Sequence, residues 1–440
     1  MTGVQTCALP ISAHASWHFG YFNRDQYTMA LAANCDIIRS GAGNLPYWIT
    51  ELQGGNNIWS GNAPMCPTGE EITQWLWTGI MSGAKGVIFW TLNPRGSADE
   101  AGEWAMITFQ NEPSERLSAA SEVINALNKN SNLFSNAVPA DKKISILYTR
   151  ESLWAELRSQ MGGQQIEERS KGAVIKSALA YYEILSENGI GCNFSEINEF
   201  DWEKEDFSGM TVILAHQISI PSIFWNRIEN FVSKGGKLIV SGLTGFFDEN
   251  MHNVMKTGFP PEKLFGSTIS EFRHMGDKFE INLISPDIIL PAHWMQGIIK
   301  NHNSKAIGKS GDEITAIRNH YGNGEVVWIP SMIGLGARRG SSEPLSAFLR
   351  QELENSLIYN PVNLKKYEKG ILMRTMKSNR SYLSVIINKN TDTRNLEINI
   401  PESLRPVVIF SNKSGSVSNR NICTIHREET LIIRWDHLVE

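Results

Sequence analysis

Residues Leu45–Gly55 read LPYWITELQGG, and the fold of the first quarter of the chain turns on this stretch. Tyr47, Trp48, Ile49 and Thr50 suit a buried strand. That strand delivers one carboxylate, Glu51, to a point where Gly54-Gly55 and Asn56-Asn57 interrupt it, the glycines allowing a sharp turn. A carboxylate at the C-terminal mouth of a parallel strand is where (β/α)₈ barrels place their chemistry. The competing reading is a solvated glutamate ending an edge strand.

The flanking sequence favours the barrel. Thr68-Gly69-Glu70-Glu71 has the form of a capping box, and EEITQWLWTGIMSGA continues from it at helical spacing. Gly86–Leu92 (GVIFWTL) is a second buried-strand run, emptying into Asn93-Pro94-Arg95-Gly96. Upstream, Arg24–Ser40 reads as a helix stopped by Gly41. SAHASWHFGYF before it reads as the loop leaving an earlier strand. Residues 12–110 therefore read as the last turns of a barrel, from the exit of the sixth strand through the eighth.

These segments resemble a known family. ITELQGGNNIWSG, EEITQWLWTGIMSGAKG and VIFWTLNPRGSADEAGEWAM are similar to the C-terminal barrel segment of glycoside hydrolase family 42, the β-galactosidases. TVILAHQISIPSIFWNRIENFVSKGGKLIVSGLTGFFDEN resembles that family's trimerisation domain, and the likeness spans roughly residues 12–440. The resemblance implies that Glu51 is the catalytic nucleophile and that Trp59 packs against the galactose ring. It also implies that Glu100 and Glu103 hold sugar hydroxyls, with Glu-x-x-Glu standing where the family more usually has Glu-x-x-His. It assigns the acid/base to a glutamate ending the fourth barrel strand, before residue 12.

Composition narrows the function classes. Over 440 residues, Lys+Arg 41 against Asp+Glu 46 gives a net charge of −5, with no strongly basic block. Nucleic acid and anionic membranes are therefore not expected partners. No run of 18 apolar residues is present to span a bilayer. Residues 1–11, MTGVQTCALPI, resemble translated sequencing adapter rather than a signal peptide. They read as an artefact joined to a gene lacking its 5′ portion, so that any targeting signal would be lost. The cytoplasm is the default expectation. Cys7, Cys35, Cys66, Cys192 and Cys423 lie far apart with no C-x-x-C, which argues against a disulfide framework or structural zinc. No cofactor or metal is expected.

The domain reading assigns residues 12–115 to the barrel and 116–140 to a linker helix. Residues 141–358 form an α/β trimerisation domain and 359–440 a small antiparallel β-sandwich. In the α/β domain, short apolar runs such as Ile144–Thr149, Thr211–Ala215, Lys237–Ser241 and Glu325–Pro330 alternate with amphipathic helices. That pattern implies a parallel sheet covered on both faces, resembling a flavodoxin or class I glutamine-amidotransferase fold. An active amidotransferase needs a cysteine on a tight strand-to-helix turn. Here that strand ends in His216-Gln217-Ile218, so the domain reads as a scaffold, with a homotrimer implied by the family resemblance.

A retaining glycosidase needs two carboxyl groups about 5–5.5 Å apart about the anomeric carbon, and Glu51 fits the nucleophile. Trp59 and Trp90 are candidates for stacking on a sugar, whereas Trp75 and Trp77 read as helix packing and Trp48 as barrel core. Trp17 and His18 are candidates to face the pocket. Arg95 either holds a carboxylate or caps its loop. Asp99, Glu100 and Glu103 form an acidic cluster, read either as a solvated loop or as acceptors for hydroxyls. The leading expectation is a retaining β-galactosidase acting on terminal β-galactosides. The alternatives are a non-catalytic assembly module and a glycosidase for an arabinoside or fucoside.

Overall fold

The computed structural model describes residues 12–13, 22–43, 45–61, 63–140, 143–159, 172–379 and 381–437. Among them, three short strands, β1 (Ser12–Ala13), β2 (Ile49–Gln53) and β3 (Val87–Trp90), form one sheet in the order β1-β2-β3. Both pairings are parallel, with Ser12 opposite Glu51 and Ile49 opposite Val87. Helix α1 (Tyr27–Ala42) precedes β2 and helix α2 (Gly69–Met81) joins β2 to β3. The result is the βα repeat of a (β/α)₈ barrel. The capping box of α2 is formed, with Glu71 N donating to Thr68 Oγ1 (3.2 Å) and Thr68 N to Glu71 Oε2 (2.9 Å). Trp75 and Trp77 on α2 are buried. Trp48 is not in a core: it is 46% exposed and lies over Gly86, where an added Cβ would meet its ring at 2.4 Å. Helix α3 (Glu115–Lys129) follows, capped by Ser114.

The chain divides into two compact units. One comprises Met1–Asp141, Ser186–Gly191 and Asn360–Glu440, and the other Lys142–Leu185 and Cys192–Tyr359. Within the first unit, the C-terminal part is a β-sandwich packed onto α1 and α2. Its five-stranded sheet runs through Leu404–Ser411, Thr430–His437, Ser381–Asn388, Ile371–Ser378 and Val138–Pro139, and a four-stranded sheet faces it. Leu364, Ile386, Leu396, Ile398, Ile433 and Trp435 fill the space between them. Arg374 Nη2 meets Asp36 Oδ1 at 2.8 Å and Arg374 Nη1 donates to Ser82 Oγ at 2.9 Å. Trp77 packs against Phe134 and Phe410.

The second unit is built on one nine-stranded sheet. Five of its strands, Asn193–Glu196, Ile144–Tyr148, Thr211–Ala215, Lys237–Ser241 and Gly324–Ile329, are mutually parallel neighbours in that order. In chain order this is 2-1-3-4-5, the flavodoxin-like winding. The other four strands are antiparallel and carry the sheet beyond a purely parallel one. They include a hairpin of Ser267–Ile284 against Asp287–Asn301. Much of Ser267–Ile284 is exposed, and Glu271, Arg273, Asp277, Lys278 and Glu280 are spread along it. A strand this polar lacks the apolar run by which the parallel strands declare themselves.

Candidate active site

The C-terminal ends of β2 and β3 come together because Gly54 N donates to Trp90 O (3.0 Å) just beyond the paired strands. Thr91 N then bonds Trp104 O (2.8 Å) and Trp104 N bonds Asn56 O (2.6 Å), folding residues 104–106 across the exit of β2. Gly54 and Gly55 serve this approach. A Cβ on Gly55 would lie 2.1 Å from Ala105 O, and one on Gly54 would lie 2.8 Å from Met106 Cγ. Neither glycine has positive φ, so close packing, and not a sharp turn, requires them. Arg116 in α3 secures the same crossing, its Nε donating to Gly54 O (3.1 Å) and its Nη2 to Ala105 O (3.3 Å).

Glu51 lies on β2, partly buried. Burial pushes its carboxyl above the usual range, and the charge of Glu100 adds to the effect. Glu100 is tied down: its Oε2 accepts from Arg95 Nη1 at 2.8 Å and from Trp90 Nε1 at 3.2 Å. The Arg95 guanidinium also sits 5.6 Å from the Trp90 ring centre. The Arg95–Glu100 pair lies within one loop and so fits both roles considered for Arg95. Glu51, Trp90, Arg95 and Glu100 thus form one cluster at the strand exits.

Glu103 has a different setting from Glu100. Its side chain is buried, and one oxygen accepts from Ile58 N (2.8 Å) and Trp59 N while the other accepts from Ser60 N (3.2 Å) and Ser60 Oγ. Burial by itself would raise its pKa. The bonds from Ser60, Trp59 and Ile58 outweigh that and hold it below the usual carboxylate range. These donors engage both oxygens. Asn57 closes the same loop, its Nδ2 donating to Ala63 O (3.0 Å) and to Ser60 O, and its Oδ1 accepting from Met65 N (3.0 Å). Trp59 projects from this loop 85% exposed.

His18, with Trp17, lies outside the described residues. Among the described residues no group of three or more His, Cys, Asp or Glu side chains is arranged to hold a metal ion, and Cys35, Cys66, Cys192 and Cys423 are thiols, outside any disulfide. No described helix is long and apolar enough to cross a membrane. Sequence reasoning missed Arg116 and Ser60. Arg116 acts on a backbone carbonyl 62 positions away, and nothing local marks it. The Ser60 hydroxyl becomes meaningful only once Glu103 is known to be buried beneath it.

Comparison with known proteins bears on the family and the fold. Residues 142–356 match the family model described as the beta-galactosidase trimerisation domain, and residues 9–130 match the glycoside hydrolase 42 beta-galactosidase model. Beta-galactosidase BbgII of Bifidobacterium bifidum is 26% identical over 223 residues, covering 47% of this chain and 30% of the relative. Beta-galactosidase BgaB of a Geobacillus species is 23% identical over 367 residues, covering 81% of this chain and 50% of the relative. The chain thus spans at most about half the length of these curated relatives. A catalytic mutant of Gan42B, a GH42 beta-galactosidase from G. stearothermophilus, superposes with a TM-score of 0.76 at 16% identity, over 97% of this chain and 59% of that one. A beta-galactosidase from Bacillus circulans sp. alkalophilus gives 0.73 at 16% identity, over 92% and 58%.

Proposed function

Because this chain belongs to glycoside hydrolase family 42, we propose that it carries the nucleophile half of a retaining β-galactosidase site, with Glu51 as the nucleophile. The observation supporting this most directly is that Glu51 lies on a parallel strand whose end, at Gln53, is opposite Trp90, with the charge of the restrained Glu100 felt at its carboxyl. In the first step a Glu51 oxygen bonds to the anomeric carbon as the bond to the leaving oxygen breaks. A second carboxyl protonates that oxygen and then takes a proton from the water that frees the sugar. The leaving-group proton is the role that the family resemblance gives to the glutamate ending the fourth barrel strand. Arg95 and the Trp90 indole fix Glu100 as a hydrogen-bond acceptor for sugar hydroxyls, and Trp59 and Trp90 offer the flat faces on which a galactose ring stacks.

Burial and the neighbouring Glu100 charge make Glu51 harder to ionise, so turnover falls on the acid side sooner than for an isolated carboxylate. A homotrimer built through residues 142–356 completes the proposal. The test is trapping with a 2-fluoro-galactosyl reagent followed by peptide mapping. The label is expected on Glu51, and a label on any other residue rejects the assignment.

A further inference from the structure

A buried carboxylate beneath an exposed tryptophan calls for a physical reason. Four donors converge on Glu103, three of them the main-chain amides of the consecutive residues Ile58, Trp59 and Ser60. Taking a carboxylate fully out of water is unfavourable unless such donors replace its hydration. The residue so anchored, Trp59, is 85% exposed, so its ring adds little to the core that surrounds it. Asn57 ties the same loop independently, donating to Ala63 O and accepting from Met65 N. What the buried charge adds is a fixed main chain under a ring that contacts solvent. A tryptophan on a rigid backbone retains only two free torsions, and therefore offers a large contact area with little ordering left to do on binding.

We propose that Glu103 is a positioning residue: it clamps the amides of residues 58–60 so that the Trp59 ring is held ready as the stacking face for the sugar bound at Glu51. This rests on the reading of Glu51 and Trp59 given above, and it gives Glu103 a role through Trp59 in place of direct contact with substrate. It also accounts for a glutamate in the second position of Glu-x-x-Glu: a group accepting four bonds needs two acceptor oxygens.

The test uses the full chain with its 13 tryptophans labelled as 6-fluorotryptophan. The Trp59 fluorine signal is identified by its loss in Trp59→Phe. In Glu103→Gln, which turns one acceptor into a donor, the signal should narrow as the exposed ring gains motion. Ser60→Ala, which removes one donor, should narrow it part of the way. An unchanged Trp59 signal in both variants overturns the proposal. On a nitrophenyl β-galactoside, Glu103→Gln should raise KM about fivefold, the scale of one aromatic contact, with kcat nearly unchanged. The Trp59→Ala/Glu103→Gln double variant should be no worse than Trp59→Ala alone. Additive losses, or a fall in kcat at constant KM, would mark Glu103 as merely structural and overturn the proposal. A nucleophile half without its acid/base is not expected to turn over substrate, so an unsubstituted chain without activity leaves the proposed function standing, and the fluorine signal alone then decides the clamp.

Discussion

The two units each contain parallel strands with polar residues at their C-terminal ends, and the two ends are built differently. In the second unit, where Thr211–Ala215 leaves the sheet, every prominent group is occupied internally. Gln217 accepts from Thr149 N (3.0 Å) and donates to Ala215 O (2.9 Å), Thr149 Oγ1 donates to Ser219 O (2.7 Å), and Ser152 Oγ accepts from Ser219 N (3.0 Å). His216, at φ 58°, is buried and accepts from Leu243 N. In the first unit, Glu51 and Trp90 retain access to solvent, and the buried Glu103 is bonded to the amides of residues 58–60. Topology nominates a strand end in both units. The two ends differ in the access they give a ligand.

The sharpest way to break this contrast is to exchange Glu51 for Gln. Turnover of a chromogenic β-galactoside should fall by at least about 10³-fold, a small part of the 10⁶-fold or more that enzymes supply, with the melting temperature nearly unchanged. Residual activity within tenfold of the parent would remove Glu51 from the mechanism. The opposite pattern is expected at the other strand end. His216 is pushed down to about 4 from 6.5 by burial, reinforced by His293. The unfolded chain therefore binds that proton first, and the stability contributed by neutral His216 is present above about pH 6.5 and lost as pH falls through 4. The full difference is roughly 3 kcal/mol. Urea unfolding at pH 7 and pH 4.5 should show most of this loss in the parent and little in His216→Gln; equal losses in both would refute it.

A smaller effect is expected for Gln217→Ala, which strands the buried Thr149 amide. Stability should drop by about 1–3 kcal/mol with KM and kcat unchanged, and a change in kcat would mean that this strand end also serves catalysis. The smallest effect sharpens the first unit. Glu100→Gln removes the like charge that helps to raise the Glu51 carboxyl, so the acid limb of the kcat/KM profile should move to lower pH by less than about one unit. An upward move would contradict the sign.

The sequence carried the elements that rest on local signals. The Thr68–Glu71 capping box, the apolar runs ending at Glu51 and Trp90, and the switch from alternating αβ segments to short strands after residue 360 all have a near-neighbour cause. What it did not carry has a distant cause or a mixed pattern. Gly54 and Gly55 look like turn residues until Ala105 and Met106 are seen against them. Glu103 looks like a member of an acidic surface cluster until its burial is known. Trp48 looks like core because an aromatic before a strand usually is. The hairpin of Ser267–Ile284 and Asp287–Asn301 escaped notice because its first strand carries charges along an exposed length.

The ion pair of Arg374 with Asp36 bears on how this protein can be taken apart. Asp36 has a side-chain exposure of 0% and Arg374 of 11%, so their pairing, with Arg39 at 3.3 Å from Asp36 and Ser82 at 2.9 Å from Arg374, replaces lost hydration. The two residues lie 338 positions apart in sequence. A stop codon near residue 360 would leave Asp36 with Arg39 (3.3 Å) as its cation and bare the surface of Trp77. The C-terminal sandwich is consequently no interchangeable cassette: a chimera that swaps it for another module must bring its own guanidinium to the same spot.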